Sequence, residues 1–314
     1  MDYILVAGIA FFVSYIITPY IARVGKKQNL VDNPGYRKIH SDSVPNLGGI
    51  VIFFGFIISV LLVIPIEFNT RGLLAGGAII LLLGIIDDIV DLRPRYKFII
   101  QMIPALLVII FNYQLFNNFI ILKLSVFGIA GYLFYPLILF WITGVTNSIN
   151  LIDGLDGLAC GVSVISLGTL FLLGLNINGN FAIYNLLTVA LSGSMLAFLY
   201  YNFFPAKMFL GDSGSTFAGY MIASIGLLWV VLSGEALLLL VPLVILALPI
   251  GDTLFAIFRR YRNKKPIFQA DQGHLHHRLL KKGITHRNVV LILLGVNLIC
   301  CLIALGIAYF VIKS

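Results

Sequence analysis

The chain has 314 residues, of which 60% are hydrophobic and 11% charged, where a soluble domain carries about 25% charged residues. Its mean hydropathy of +1.03 and repeated long apolar runs exclude a soluble globular protein and indicate an integral membrane protein. The net charge of +8 does not imply a nucleic-acid partner, because the basic residues sit in short loops beside apolar runs.

Apolar runs predict about ten helices, at roughly 3–22, 47–66, 71–86, 97–112, 128–146, 158–177, 183–201, 215–233, 235–257 and 289–311. Segment 113–127 reads either as a surface hairpin or as a short helix. The runs are continuously apolar rather than alternating, which argues against a strand barrel, and no internal repeat is visible. No Lys or Arg precedes the first run, and Arg23 follows it, so this run reads as a retained span rather than a cleaved leader. Cys160, Cys300 and Cys301 lie in or beside apolar runs and read as small buried hydrophobes.

Assigning loops 23–46, 87–96, 147–157, 202–214 and 258–288 to the cytoplasm, with Lys97 at a boundary, gathers there all 21 Lys and Arg residues except Arg71, Lys123 and Lys313. The positive-inside rule then predicts an all-α polytopic membrane protein with about ten transmembrane helices, both termini outside and one transmembrane domain over 1–314. All 5 histidines and the aspartates Asp87, Asp88, Asp91, Asp153, Asp156 and Asp212 fall on that same face. The rule does not account for Asp and His, and ionisable groups at membrane depth mark a functional site.

"GIIDDIVDL" sets Asp87 and Asp88 side by side at a helix C-terminus, where negative charge opposes the macrodipole. The pair reads as a solvated helix end or as a metal- or proton-handling site. "NSINLIDGLDGLACG" carries Asn147, Asn150, Asp153 and Asp156 among glycines, more polar groups than simple caps require. "KMFLGDSGST" puts Asp212 before a helix, as an N-cap or as a metal or phosphate site. "DQGHLHHRLLKKG" supplies His274, His276, His277 and Arg278, and "NPGYRKIHSDSVPNLGG" supplies Arg37, Lys38 and His40. Both suit phosphate or lipid headgroups, and the aspartates suit a harder ion than zinc. Carboxylates with a divalent cation and basic donors form the recurring kit for phosphoryl transfer. The depth of the site suggests a lipid reactant, and its face suggests a cytosolic nucleotide-activated one.

The sequence resembles the polyprenyl-phosphate N-acetylhexosamine-1-phosphate transferases in "DDIVDL" (87–92), "NSINLIDGLDGLACG" (147–161), "FLGDSGS" (209–215) and "HLHHRL" (274–279), supported by "RKIHSDSVPNLGG" (37–49). The resemblance implies a magnesium-dependent enzyme, with manganese as a substitute ion, at the cytoplasmic face of a bacterial cell membrane. Undecaprenyl or another polyprenyl phosphate attacks the β-phosphate of a UDP-N-acetylhexosamine, giving polyprenyl-pyrophosphoryl-sugar and UMP. The His-x-His-His form is similar to the WecA and TagO branch, which uses UDP-GlcNAc, rather than the MraY branch, which transfers phospho-MurNAc-pentapeptide. Members of the branch often carry a basic residue where this chain has Asn46. The resemblance further implies Asp212 and Asn150 at the metal, and Asp87, Asp88, His276 and His277 as catalytic. Arg37, Lys38, His40, Asn147, Asp153, Asp156, His274 and Arg278 become substrate-binding. Its partners are the UDP-sugar, the prenyl phosphate and the bilayer, with no nucleic acid, and with a homodimer as the assembly to consider. A transporter or flippase is the rival from another class, and would place ionisable groups mid-helix rather than at helix ends on one side.

Overall fold

A backbone that finds no water in a bilayer must satisfy its own polar groups, and long apolar segments do so as helices. The structure, a computed structural model, describes residues 2–28, 30–32, 43–175, 181–266 and 273–313. Helix α1 (Asp2–Lys27) leads to a two-residue antiparallel pair, β1 (Val31–Asp32) with β2 (Val44–Pro45). Then come α2 (Gly48–Val63), α3 (Phe68–Val90), α4 (Pro94–Phe111), α5 (Tyr113–Lys123), a 3-10 segment (Ser125–Leu133) and α6 (Phe134–Ile152). The chain continues through α7 (Leu158–Gly174), α8 (Ala182–Asn202), α9 (Gly211–Ser233), a 3-10 turn (Ala236–Leu239), α10 (Leu240–Ile245), α11 (Ala247–Arg262), α12 (Leu275–Lys281) and α13 (His286–Lys313).

Every helix expected from the sequence has a counterpart, and the ambiguous segment 113–127 is helical. Among the described residues, 7 helices are long and apolar enough to cross a membrane, or 8 if the bent α10–α11 pair counts as one span. Helices α2 and α7 are apolar but shorter, with 16 and 17 residues. The segment expected as one helix over 235–257 instead bends by 79° near Leu246. Pro249 explains the break, since its ring collides with the carbonyl four residues back in a continuous helix, yet is tolerated in the first turn of α11.

Helix α9 is the axis of the molecule. Its most apolar window is 94% buried, and it packs against α2, α3, α6 and α7. Phe217, Tyr220 and Trp229 fill the space around it and are inaccessible. Small residues set how closely neighbours approach. A Cβ added at Gly84 of α3 would lie 2.3 Å from the Ser213 Cα, so the two backbones touch there. Gly84 stands one turn before Asp88 and shares its face, so this contact aims Asp88 at the start of α9.

Gly84→Ala should therefore lower the melting temperature of the detergent-solubilised protein, because overpacking against backbone costs about 1–3 kcal/mol. Gly168→Ala, where an added Cβ meets nothing within 4 Å, should be neutral or stabilising. Equal melting temperatures for the two variants would contradict this packing.

Candidate active site

The C-terminal turn of α3 faces the N-terminal turn of α9. The Asp88 carboxylate accepts the backbone N–H groups of Asp212 at 2.8 Å and Ser213 at 3.1 Å, and the Asn46 side-chain amide at 2.9 Å. Asp88 thus meets the positive end of a second helix, which offsets its unfavourable place at the negative end of its own. These donors of α9 are taken by Asp88 rather than left for a phosphate. Gly211 begins α9 with φ of +74°, a conformation that favours glycine, and its missing Cβ leaves room for Asn46 and Asp88.

Asp87 is turned the other way. One oxygen accepts the Leu92 N–H at 2.9 Å, and the other pairs with the Lys97 ammonium from the first turn of α4. Lys97 also lies 3.0 Å from an Asp212 oxygen and 3.5 Å from the Asn150 amide oxygen. Asn150, near the end of α6, donates to the other Asp212 oxygen and, at 2.9 Å, to the Ser215 hydroxyl. Oxygens from α3, α6 and α9 therefore converge on one positive charge.

These groups wall a cavity of about 490 Å³ whose lining includes Asp87, Asp88, Asp91, Asp153, Asp156 and Asp212, together with Asn46, Asn150, His277 and His286. Among the described residues no Lys or Arg lines it. Burial, reinforced by Asp212, Asp88 and Asp156, pushes the Asp153 carboxyl well above the usual carboxylate range. Asp156 accepts the Ala206 N–H at 3.0 Å, while its own N–H donates to His286 Nε2 at 3.1 Å. The His286 ring stacks on Phe204 with centroids 4.4 Å apart.

The histidine segment forms α12. His276 is buried beneath the Asp153–Asp156 loop, so close that a Cβ on Gly154 would lie 2.3 Å from its Nε2. Its ring centroid is 4.3 Å from that of His277, which reaches the cavity wall. His274 is held behind the wall by Asp252. The Arg278 guanidinium lies 5.9 Å from the Phe255 ring centroid, on α11. Asn147 ties α6 to α4, donating to Gln101 at 2.5 Å and to the Thr143 carbonyl at 2.7 Å, and is not among the lining residues. Arg37, Lys38 and His40 lie outside the described residues.

Sequence reasoning missed Lys97, Asp252 and His286 as site residues, and noted Asn46 only as a departure from a pattern. A signal existed for one of them. Asp252 places a charge within an apolar run, the same criterion that singled out the aspartates.

No group of three or more His, Cys, Asp and Glu forms a ready metal cage among the described residues. The convergent donors are instead two carboxylates and an amide oxygen, already holding the Lys97 ammonium. Such an oxygen set fits a hard divalent cation better than zinc.

Fold and site together define a multi-pass membrane protein with its polar chemistry gathered at helix ends. The family model described as Glycosyl transferase family 4 matches residues 70–230, which hold the six cavity aspartates and Lys97 but not α12. The chain is 42% identical over 290 residues to the probable undecaprenyl-phosphate N-acetylglucosaminyl 1-phosphate transferase of Bacillus subtilis (strain 168), covering 91% of this chain and 80% of that protein. It is 30% identical over 324 residues to the decaprenyl-phosphate N-acetylglucosaminephosphotransferase of Mycobacterium leprae (strain TN), covering 92% and 79%. A phospho-N-acetylmuramoyl-pentapeptide-transferase of Chlamydia trachomatis serovar L2 is 34% identical over 334 residues, covering 96% and 95%. The chain belongs to glycosyl transferase family 4, and is a bacterial membrane transferase of the polyprenyl-phosphate type.

Burial, and then the neighbouring His277 and His274, push His276 down from 6.5 to about 4. Between those values the unfolded chain binds more protons than the folded one, so stability falls as pH falls through that window. The melting temperature should drop between pH 7 and pH 4 more steeply in the wild type than in His276→Asn. Parallel pH profiles would contradict a buried neutral imidazole.

Proposed function

We propose that the protein transfers N-acetylglucosamine-1-phosphate from UDP-GlcNAc to a polyprenyl phosphate at the cytoplasmic face of the membrane. The observation that carries this reading is the convergence of Asp87, Asp212 and Asn150 on the Lys97 ammonium, beside a cavity lined by six aspartates. That chemistry suits a pyrophosphate brought in with a counter-ion. The relatives named as N-acetylglucosamine-1-phosphate transferases supply the sugar and the lipid class.

In the proposed reaction an oxygen of the lipid phosphate bonds to the β-phosphorus of the UDP-sugar. The bond from that phosphorus to the bridging oxygen breaks, and UMP leaves with the electron pair. Asp212, Asp87 and the Asn150 amide oxygen would hold magnesium, which when bound neutralises charge on the pyrophosphate. Lys97 bridges Asp87 and Asp212 with a fixed positive charge, which offsets their mutual repulsion and holds the two carboxylates together beside the cavity. Asp88 and Asn46 fix the first turn of α9, and with it the Asp212 side chain. His277 stands on the opposite wall, where a ring N–H can donate to phosphate oxygens, while His286 accepts the Asp156 N–H and steadies that loop. The lipid phosphate enters at the level of the headgroups because the carboxylates sit at helix ends.

The test is one assay in two membrane orientations. Inverted vesicles given magnesium, undecaprenyl phosphate and UDP-GlcNAc should release UMP and form a pyrophosphate-linked lipid, whereas sealed right-side-out vesicles should not. Asp212→Ala should lower the rate by on the order of 10²–10³ or more, as loss of a main electrostatic stabiliser does. Product from UDP-MurNAc-pentapeptide alone would reassign the sugar. Solute transport without UMP release would replace the enzyme reading with a transporter.

A further inference from the structure

Helix α11, beyond the bend at Leu246, carries a carboxylate that never reaches the cavity. Asp252 accepts His274 Nδ1 at 2.9 Å with one oxygen and the Leu275 backbone N–H at 2.8 Å with the other. Both side chains of the pair are nearly sealed, at 9% and 8% exposure. Leu275 opens α12, so its N–H has no partner within that helix. Two turns along α11, on the same face, Arg259 donates to the Gly273 carbonyl at 2.8 Å. A Cβ at Gly273 would lie 2.2 Å from that guanidinium. Three consecutive residues, Gly273 to Leu275, are therefore gripped by one face of α11.

The grip leads to the site through stacked rings. His274 and His276 lie nearly parallel, 3° apart with centroids at 5.8 Å, and His276 is wedged under Gly154. His277 follows it onto the cavity wall. An imidazole whose Nδ1 faces a carboxylate is fixed both in tautomer and in rotation.

We propose that Asp252 is a positioning residue, which locks His274 as an Nδ1–H donor and seats α12 so that His277 meets the nucleotide-sugar phosphates. The proposal deepens the transfer reading above and rests on it for the identity of the ligand. Asp252 touches no substrate. It acts through His274 and the first turn of α12, and this explains why the otherwise apolar first half of α11 retains a carboxylate behind the cavity wall.

Asp252→Asn separates the two bonds. The amide oxygen can still accept the Leu275 N–H, but the amide nitrogen now faces His274 and forces Nδ1 to accept. Full-length protein labelled with ¹⁵N-histidine, in detergent, reports the protonation of each ring nitrogen. The wild type should show a histidine held as Nδ1–H, which switches to Nε2–H in Asp252→Asn and returns in Asp252→Glu. In the same preparations the KM for UDP-GlcNAc should rise and kcat/KM should fall by on the order of ten- to a hundredfold in Asp252→Asn. The KM for undecaprenyl phosphate should stay within about twofold, a split that general loosening of the fold does not produce. Should Asp252→Asn not accumulate, His274→Ala keeps the carboxylate for Leu275 and must show the same rise in KM. Unchanged ¹⁵N spectra in Asp252→Asn, or a switched tautomer with unchanged KM for UDP-GlcNAc, would overturn the proposal. A wild type that releases no UMP removes the ligand assignment instead, and the ¹⁵N comparison still decides whether Asp252 sets the tautomer.

Discussion

Crowded negative charge at helix ends is the constraint on which the rest of this structure depends. Two carboxylates about 5 Å apart repel by about 3 kcal/mol at an effective dielectric of 20, and six share one cavity here. The molecule relieves that repulsion where it can, by giving individual carboxylates a cation or a helix N-terminus. Lys97 bridges Asp87 and Asp212, and the first turn of α9 takes Asp88. Asp153 is relieved differently, with its ionised form disfavoured by burial and by its acidic neighbours. What remains is a cavity that an anionic substrate enters favourably only with positive charge alongside it.

The same device recurs behind the site. A carboxylate on one helix caps the first turn of another, as Asp88 does for α9 and Asp252 for α12. Helix starts without local side-chain caps are thereby made dependent on tertiary packing. The dependence is steric as well as electrostatic. Gly84 lets α3 touch α9, and Gly154 leaves the space that His276 occupies. The site is thus assembled from α3, α4, α6, α9 and α12 rather than built on any one loop.

Much of this was legible in the sequence because it depends on local pattern. Apolar runs located the helices, and the acidic motifs located the helix ends that form the cavity. The partners were not legible, since Asp88 meets residues 124 and 125 positions away, and Lys97 looked like a boundary residue among the loop cations. The bend near Leu246 was written in Pro249 but masked by unbroken hydrophobicity on either side. Asn147 sat within the right motif yet faces Gln101 of α4, because helical rotation, not motif membership, decides which side chain reaches a cavity. Asp252 was overlooked for the converse reason, since a lone carboxylate in an apolar run shows its purpose only when the histidine segment folds back onto it.

The central claim is that the oxygens of Asp87, Asp212 and Asn150 form a cation site at the base of an acidic cavity. The most direct measurement is Mn²⁺ binding to the purified chain, followed by electron paramagnetic resonance with Mg²⁺ as competitor. The account predicts one Mn²⁺ per chain, displaced by Mg²⁺ and lost in Asp212→Asn. Mn²⁺ binding that survives unchanged in both Asp212→Asn and Asp87→Asn, or no binding in the wild type, would contradict it.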